Sequence, residues 1–120
     1  LARNYSNLGR ALMLKGLADE AAEAFHMARK VDPLLPSPHS RLGYLRLQQG
    51  RIDEAIGHFH DAVRVAPRSP EGHYNLGNAF AAKGDFAQAI RHLQAALALD
   101  GNYLDARQRL EKARQAAGTP

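Results

Sequence analysis

The sequence predicts an all-α fold of stacked helical hairpins, and three observations predict it. Gly9, Gly43 and Gly77 stand at equal steps of 34 residues, and the residues before them agree: Tyr5-x-x-Leu8-Gly9, His39-x-x-Leu42-Gly43 and His73-x-x-Leu76-Gly77. A fixed period of this size marks a repeat array, in which each unit buries its apolar face only by stacking on its neighbours. A second set of glycines, Gly16, Gly50 and Gly84, follows the first helical stretch of each unit, where a left-handed C-terminal residue is expected. No segment carries the strict alternation of a strand.

Each repeat reads as two helices of roughly 13 residues. The first helices are predicted near 2–15, 37–49 and 70–83, the second near 18–31, 52–65 and 86–99. Asp19, Asp53 and Asp85 fall at the start of the second helices, where a carboxylate suits the helix dipole. Ser69-Pro70 reads as an N-cap followed by a first-turn proline. In the stretch Leu35-Pro36-Ser37-Pro38, Ser37 as the cap with Pro38 in the first turn would start that helix late. Residues 104–117 carry one apolar stripe, Tyr103, Ala106, Leu110, Ala113 and Ala117, opposite Asp105, Gln108, Arg109, Glu111, Lys112 and Gln115. That pattern suits a terminal capping helix, with residues 118–120 as a frayed tail.

A glycine inside a helix costs roughly 1 kcal/mol relative to alanine, so three at equal phase imply a steric need. Gly9 is expected to face Ala21 and Ala28, Gly43 to face Ala55 and Ala62, and Gly77 to face Ala89 and Ala96, which lets the paired backbones approach. Phe25, Phe59 and Leu93 then fill the space between one hairpin and the next.

The chain resembles the tetratricopeptide repeat family. Repeat one supplies Tyr5, Leu8, Gly9, Leu12, Ala21, Phe25, Ala28 and Pro33 at that family's positions. Repeat two supplies His39, Leu42, Gly43, Ala55, Phe59, Ala62 and Pro67, with Arg46 in a slot usually held by Tyr and expected to snorkel. Repeat three supplies His73, Leu76, Gly77, Phe80, Ala89 and Ala96, with Leu93 for the aromatic and Gly101 for the proline. The resemblance implies a right-handed α-solenoid of antiparallel helix pairs, about seven helices in one domain over 1–120. Its repeats span about 2–35, 36–69 and 70–103, and a capping helix follows over about 104–117.

The resemblance also implies a concave groove lined by the first helices. Their inward faces carry Arg3, Ser6, Asn7, Arg10, Met13 and Leu14 in repeat one, and Ser37, Ser40, Arg41, Tyr44, Leu47 and Gln48 in repeat two. Repeat three gives Glu71, Tyr74, Asn75, Asn78, Ala81 and Ala82, and the capping helix adds Arg109 and Lys112. The binding candidates are Arg3, Ser6, Asn7, Arg10, Arg41, Tyr44, Glu71, Tyr74, Asn75, Asn78 and Arg109. Family geometry pairs Arg10 with Arg41, Tyr44 with Asn75, and Asn78 with Arg109. Asn75 and Asn78 can donate to and accept from a peptide backbone, Arg10 and Arg41 can take a carboxylate or phosphate, and Tyr44 and Tyr74 offer stacking area. One subclass of the family grips the C-terminal carboxylate of chaperone tails with a Lys/Asn/Asn/Lys/Arg clamp. The matching positions are Ser6, Arg10, Arg41, Glu71 and Asn75, so only basic character at two positions survives and Glu71 has the wrong sign.

Composition bounds the function. The 120 residues are 45% hydrophobic and 23% charged, as in folded rather than disordered chains. No apolar run approaches the ~20 residues of a membrane span. The net charge is +4, with twelve arginines among the 16 basic residues, which suits an anionic partner. There is no cysteine, no Gly-rich phosphate loop and no serine in a nucleophile motif, so neither a cofactor nor catalysis is expected. The six histidines fall in three pairs 34 residues apart, His26/His60, His39/His73 and His58/His92. His39 and His73 are expected to pack in the large-residue slot and the others to lie at the surface, with no metal site.

The favoured reading is a protein-interaction module that binds a peptide or partner segment, with an acidic partner favoured by charge. A structural scaffold that self-associates through the uncapped N-terminal end is the alternative. RNA binding is a third, weakened by Glu71, by the two asparagines and by the modest charge. Leu1 rather than Met opens the sequence, so it reads as part of a longer protein. The sequence assigns no compartment, which would be the cytoplasm if no targeting segment lies upstream.

Overall fold

The computed structural model describes residues 1–118; Thr119 and Pro120, expected in the frayed tail, lie outside the described residues. Seven helices follow one another: α1 (Ala2–Leu14), α2 (Ala18–Val31), α3 (Pro36–Gln48), α4 (Ile52–Val65), α5 (Pro70–Lys83), α6 (Phe86–Leu99) and α7 (Leu104–Ala116). They pair as antiparallel hairpins, α1 with α2, α3 with α4 and α5 with α6, and α7 packs on α6. Two compact units result, Leu1–Val65 with α1 to α4, and Ala66–Pro120 with α5 to α7. No described helix is long and apolar enough to cross a membrane.

The turns inside the hairpins follow from the second glycine series. Gly84 has φ of 87°, a left-handed conformation that costs a residue without a Cβ nothing. Its N–H donates to the Ala81 carbonyl at 3.0 Å, and the Asp85 N–H donates to the Phe80 carbonyl at 2.9 Å. These two bonds satisfy carbonyls that the helix end leaves open. Gly16 and Gly50 repeat the arrangement in the first unit.

The helix starts differ from one another. Asp85 caps α6, its Oδ1 accepting from the Gln88 N–H at 3.2 Å. Leu17 and Arg51 hold the same phase in the other hairpins, and α2 and α4 instead carry Asp19-Glu20 and Asp53-Glu54 in their first turns. Helix α3 starts earlier than a Ser37 cap would give. Its cap is Leu35 and Pro36 is its first residue. Pro36 and Pro38 both fall in the first turn, where backbone N–H groups have no helical partner to lose. Ser69 does stand at the N-cap of α5, but its side chain makes no cap bond and donates to Glu71 Oε2 at 3.1 Å.

The first glycine series makes room for the bulky residue of the paired helix, a ring at Gly9 and Gly43 and Leu93 at Gly77, where the expected approach to Ala89 is also present. A Cβ built on Gly9 would lie 2.6 Å from Phe25 Cε1, and one on Gly43 would lie 2.5 Å from Phe59 Cε1. A Cβ on Gly77 would lie 2.7 Å from Leu93 Cγ and 3.3 Å from the Ala89 carbonyl oxygen. Each bulky residue therefore sits on the glycine of its own hairpin. Phe25 also belongs to a cluster with Ala21, Ala22, Leu42 and Leu45, so it joins the first hairpin to α3 as expected. Leu93 clusters with Ala106, Leu110 and Ala113, which joins α6 to α7. Burying a side chain of this size contributes about 1.5–3 kcal/mol.

Arg46 behaves as its slot demands: the stem is covered, and the guanidinium reaches Glu54 at 3.5 Å and Gln49 at 3.0 Å. His39 is buried, and its Nε2 donates to the Pro33 carbonyl at 3.0 Å, which ties the α2–α3 loop down. On α7, Ala106, Leu110 and Ala113 are buried as the stripe predicts, whereas Ala117 and Leu104 are exposed.

Candidate functional site

The candidates divide between the two units. In the first, α1 places Arg3, Ser6, Asn7 and Arg10 around a cavity of about 250 Å³ that Leu35, the cap of α3, and Ser37 in its first turn complete. Residues 3, 6, 7 and 10 share one face because three- and four-residue steps return to the same side of a helix. Ser6 is buried, with its Oγ 3.4 Å from Ser37 Oγ, so it joins α1 to α3 rather than standing free for a ligand. Arg41 lies one turn beyond Ser37 on α3 and is half-buried. It does not line the cavity, so the expected Arg10–Arg41 pair does not share one pocket. Tyr44 is the exposed aromatic of this unit, set edge-on to Phe59 with ring centroids 5.7 Å apart.

Charge in this unit is segregated by helix. Neither α1 nor α3 contains an acidic residue, while α2 and α4 carry Asp19, Glu20, Glu23, Asp53, Glu54 and Asp61. The cations near those acids are neutralised: Arg29 and Arg64 reach Asp61 at 3.4 and 3.2 Å, and Arg46 and Arg51 reach Glu54 at 3.5 and 2.8 Å. Arg3, Arg10 and Arg41 form no ion pair among the described residues. The α1–α3 face therefore keeps its positive charge.

In the second unit, Asn78 and Arg109 come together at a cavity of about 360 Å³. Asn78, Ala81 and Ala82 of α5 and Phe86 and Leu93 of α6 form one side, and Arg109, Lys112, Ala113 and Ala116 of α7 the other. The remaining candidates are engaged elsewhere. Asn75 is buried at 7% exposure and carries a contact of its own. Tyr74 stacks on Tyr103, with centroids 5.0 Å apart, so one of its faces is already used. Glu71 accepts the Ser69 hydroxyl. Tyr44 belongs to the first unit and Asn75 to the second.

On the apolar side of the second cavity, Ala81 and Ala82 lie on the expected inward face, whereas Phe86, Leu93, Ala113 and Ala116 are not among the sequence-based groove residues. Position 81 holds Ala where the earlier repeats hold Met13 and Leu47, position 82 holds Ala where they hold Leu14 and Gln48, and position 93 holds Leu where they hold Phe25 and Phe59.

Two histidine groupings cut across the 34-residue pairs. His26 meets His58 edge-on at 6.2 Å, and Arg29 donates to His58 Nδ1 at 3.4 Å. Burial first, and then the Arg29 guanidinium, push the His58 pKa down to about 4, and the same two causes lower that of His26. His73 stacks on His92 at 5.6 Å, and His92 lies parallel to Phe80 at 5.5 Å. His58 and His92 are thus half-buried, not the surface residues expected. No group of three or more metal-ligating side chains converges among the described residues.

No curated protein matches the sequence. Among solved structures, the first TPR domain of Spaghetti (RPAP3), bound to the HSP90 peptide SRMEEVD, is similar with a TM-score of 0.93 at 20% identity, over 98% of this chain and 94% of that one. The first TPR domain of human RPAP3 gives 0.92 at 20% identity over 98% and 93%, and MamA gives 0.90 at 20% identity over 98% and 68%. At these identities the likeness shows the fold. The sequence profile of the tetratricopeptide repeat matches residues 40–103, more than half of the chain. With three glycine-bearing hairpins and a following single helix, the chain belongs to the tetratricopeptide repeat family.

Proposed function

We propose that the chain is a non-enzymatic interaction module that binds an acidic peptide or protein segment on the face formed by α1 and α3. One observation carries this reading: Arg3, Arg10 and Arg41 have no ion pair among the described residues, on two helices without a single carboxylate. A guanidinium that no internal acid neutralises is free to take a carboxylate in a paired, charge-assisted geometry. Asn7 adds an amide that can donate and accept at a peptide backbone. The TPR domain of RPAP3 that was solved with the acidic-ended peptide SRMEEVD supports a peptide ligand in general terms. Ser6 and Glu71 at the clamp positions argue against the same mode of carboxylate capture.

The test is the affinity of a fluorescein-labelled peptide, Gly-Asp-Glu-Phe-Glu-Asp-Gly, by anisotropy at low and high salt. Binding that weakens steeply with salt, and is absent for the version with Lys at each acidic position, supports the reading. Equal affinity for both peptides removes it.

Self-association remains a second reading on one observation. Leu8 is 50% exposed, whereas Leu42 and Leu76, at the same phase, are fully buried. The uncovered side of α1 suits a helical partner, and sedimentation across a concentration series distinguishes a monomer from a self-associating chain.

A further inference from the structure

We infer that the cavity between α5, α6 and α7 is an anchor pocket for one bulky apolar side chain, aromatic or Leu/Met-sized, that has a carboxylate beside it in a partner peptide. The inference rests on the reading that the chain binds an acidic segment, and it adds what that segment must carry besides charge.

Three positions that line the cavity carry smaller side chains than their counterparts in the first unit. In the first unit, Met13 and Leu47, Leu14 and Gln48, and Phe25 and Phe59 hold the phases that Ala81, Ala82 and Leu93 hold in the second. Met13 packs against the Phe25 cluster in the first unit, whereas Ala81 and Leu93, smaller at the same phases, line open space in the second, with Leu93 itself buried at 1% exposure. The space, about 360 Å³, falls in the range of pockets that take a small organic group. Its floor and walls are Ala81, Ala82, Phe86 and Ala113, which offer no hydrogen bond from their side chains and so favour an apolar occupant.

The rim has the opposite character. Arg109 and Lys112, one turn apart on α7, and Asn78 on α5 face the cavity. None of the three side chains makes a hydrogen bond or ion pair among the described residues. Two unpaired cations and an unused amide surround an apolar floor. An aliphatic or aromatic side chain fits the floor, a neighbouring carboxylate complements the cations, and the amide matches the peptide bond between them. A wholly apolar partner would gain nothing from the two exposed cations, and a wholly acidic one would leave the floor in contact with water.

Amide chemical shifts of the ¹⁵N-labelled chain test this with the unlabelled peptide Gly-Asp-Glu-Phe-Glu-Asp-Gly. The expected result is perturbation of the Asn78, Ala81, Ala82, Arg109 and Lys112 amides. Replacing the peptide's Phe with Ala should weaken the response at these amides about tenfold or more, as loss of a buried aromatic side chain implies. The variant Ala81→Met/Ala82→Leu, which imports the residues of the first repeat, should abolish it while keeping the response around Arg10. The exposed Arg109→Gln/Lys112→Gln variant tests the rim without touching the core, and should weaken the response severalfold. Perturbation around Arg3 and Arg10 alone, with nothing at Ala81 and Ala82, overturns the pocket and leaves the α1–α3 reading standing. Perturbation at the pocket alone overturns that reading and keeps the pocket. No perturbation at either place, or an undiminished response to the peptide with Ala, overturns the pocket as described.

Discussion

The two units set a bulky side chain on a helical glycine in the same way, yet they arrive at different surfaces. In the first, Phe25 and Phe59 fill the hairpins, Met13 packs against the Phe25 cluster, and the cavity beside α1 and α3 is about 250 Å³ and lined by Arg3, Asn7 and Arg10. In the second, Leu93 and two alanines leave a larger, mainly apolar cavity rimmed by Arg109 and Lys112. The periodic residues build the hairpins, and the residues between them at equal phase decide what each hairpin can bind. A repeat fold thus varies its sites by changing side-chain volume and charge on a backbone that stays the same.

The largest expected effect sharpens that comparison at the glycines. Gly43→Ala gains roughly 1 kcal/mol of helix propensity but drives a methyl group into the Phe59 ring, which is fixed on all sides. Overpacking of this kind costs typically about 1–3 kcal/mol, so urea denaturation should show a net loss. Gly77→Ala meets Leu93 Cγ and the Ala89 carbonyl, but Leu93 borders the second cavity and has space to shift into, so its loss should be the smaller of the two. Equal losses would mean that the aromatic and aliphatic fillings are not the difference between the units.

Position 58 provides the next contrast, because Arg29 approaches His58 while Phe80 lies against His92 at the same phase. The folded state holds His58 near pKa 4, below its ordinary value of 6.5. Between these values the unfolded chain binds the extra proton, so stability falls as pH drops from 6.5 towards 4 and is complete above 6.5. After allowance for solvent screening of a partly exposed ring, the loss should be about 1–2 kcal/mol. His58→Asn should flatten that part of the profile, as measured by urea denaturation across pH; an unchanged slope would assign the sensitivity elsewhere.

These contrasts show what was legible in the sequence. Gly9, Gly43 and Gly77 mark positions where a paired helix presses a bulky side chain, and Gly16, Gly50 and Gly84 mark positive-φ turns, so the three hairpins could be read directly. Sites were legible in part. Arg3 and Arg10 do line a cavity, because α1 has a single face for them to share. Ser6, Asn75 and Tyr74 looked equally available, but whether a polar residue on the inward face meets solvent depends on a partner distant in sequence, Ser37 for Ser6 and Tyr103 for Tyr74. The apolar cavity was legible only at Asn78, Ala81, Ala82, Arg109 and Lys112 on the inward faces; its depth depends on Phe86, Leu93 and Ala113, whose packing no motif records.

Smaller effects separate the helix starts. Asp85→Ala removes the side-chain acceptor for the Gln88 N–H and should cost about 1 kcal/mol. Ser69→Ala should change stability by less than about 0.5 kcal/mol, since that hydroxyl makes no cap bond and sits at the surface with Glu71. Gly57→Ala should move stability the other way, by up to about 1 kcal/mol of gain, because it lies within α4 with open space where its Cβ would go. Thermal melts of the three variants rank them; a destabilised Gly57→Ala would contradict the view that, among the helical glycines, only those facing Phe25, Phe59 and Leu93 are sterically required.

The central claim, that unpaired cations on α1 and α3 receive an acidic partner, is tested most directly by charge reversal on the two sides of the first unit. The labelled acidic peptide is titrated into the wild-type chain, into Arg10→Glu/Arg41→Glu and into Arg51→Glu/Arg64→Glu, which makes the same change in net charge where the arginines are already paired. Tenfold or greater weakening confined to Arg10→Glu/Arg41→Glu, with binding of the Lys-substituted peptide gained, is the predicted result. Equal weakening in both variants would reduce the effect to net charge, and unchanged affinity in Arg10→Glu/Arg41→Glu would contradict the assignment.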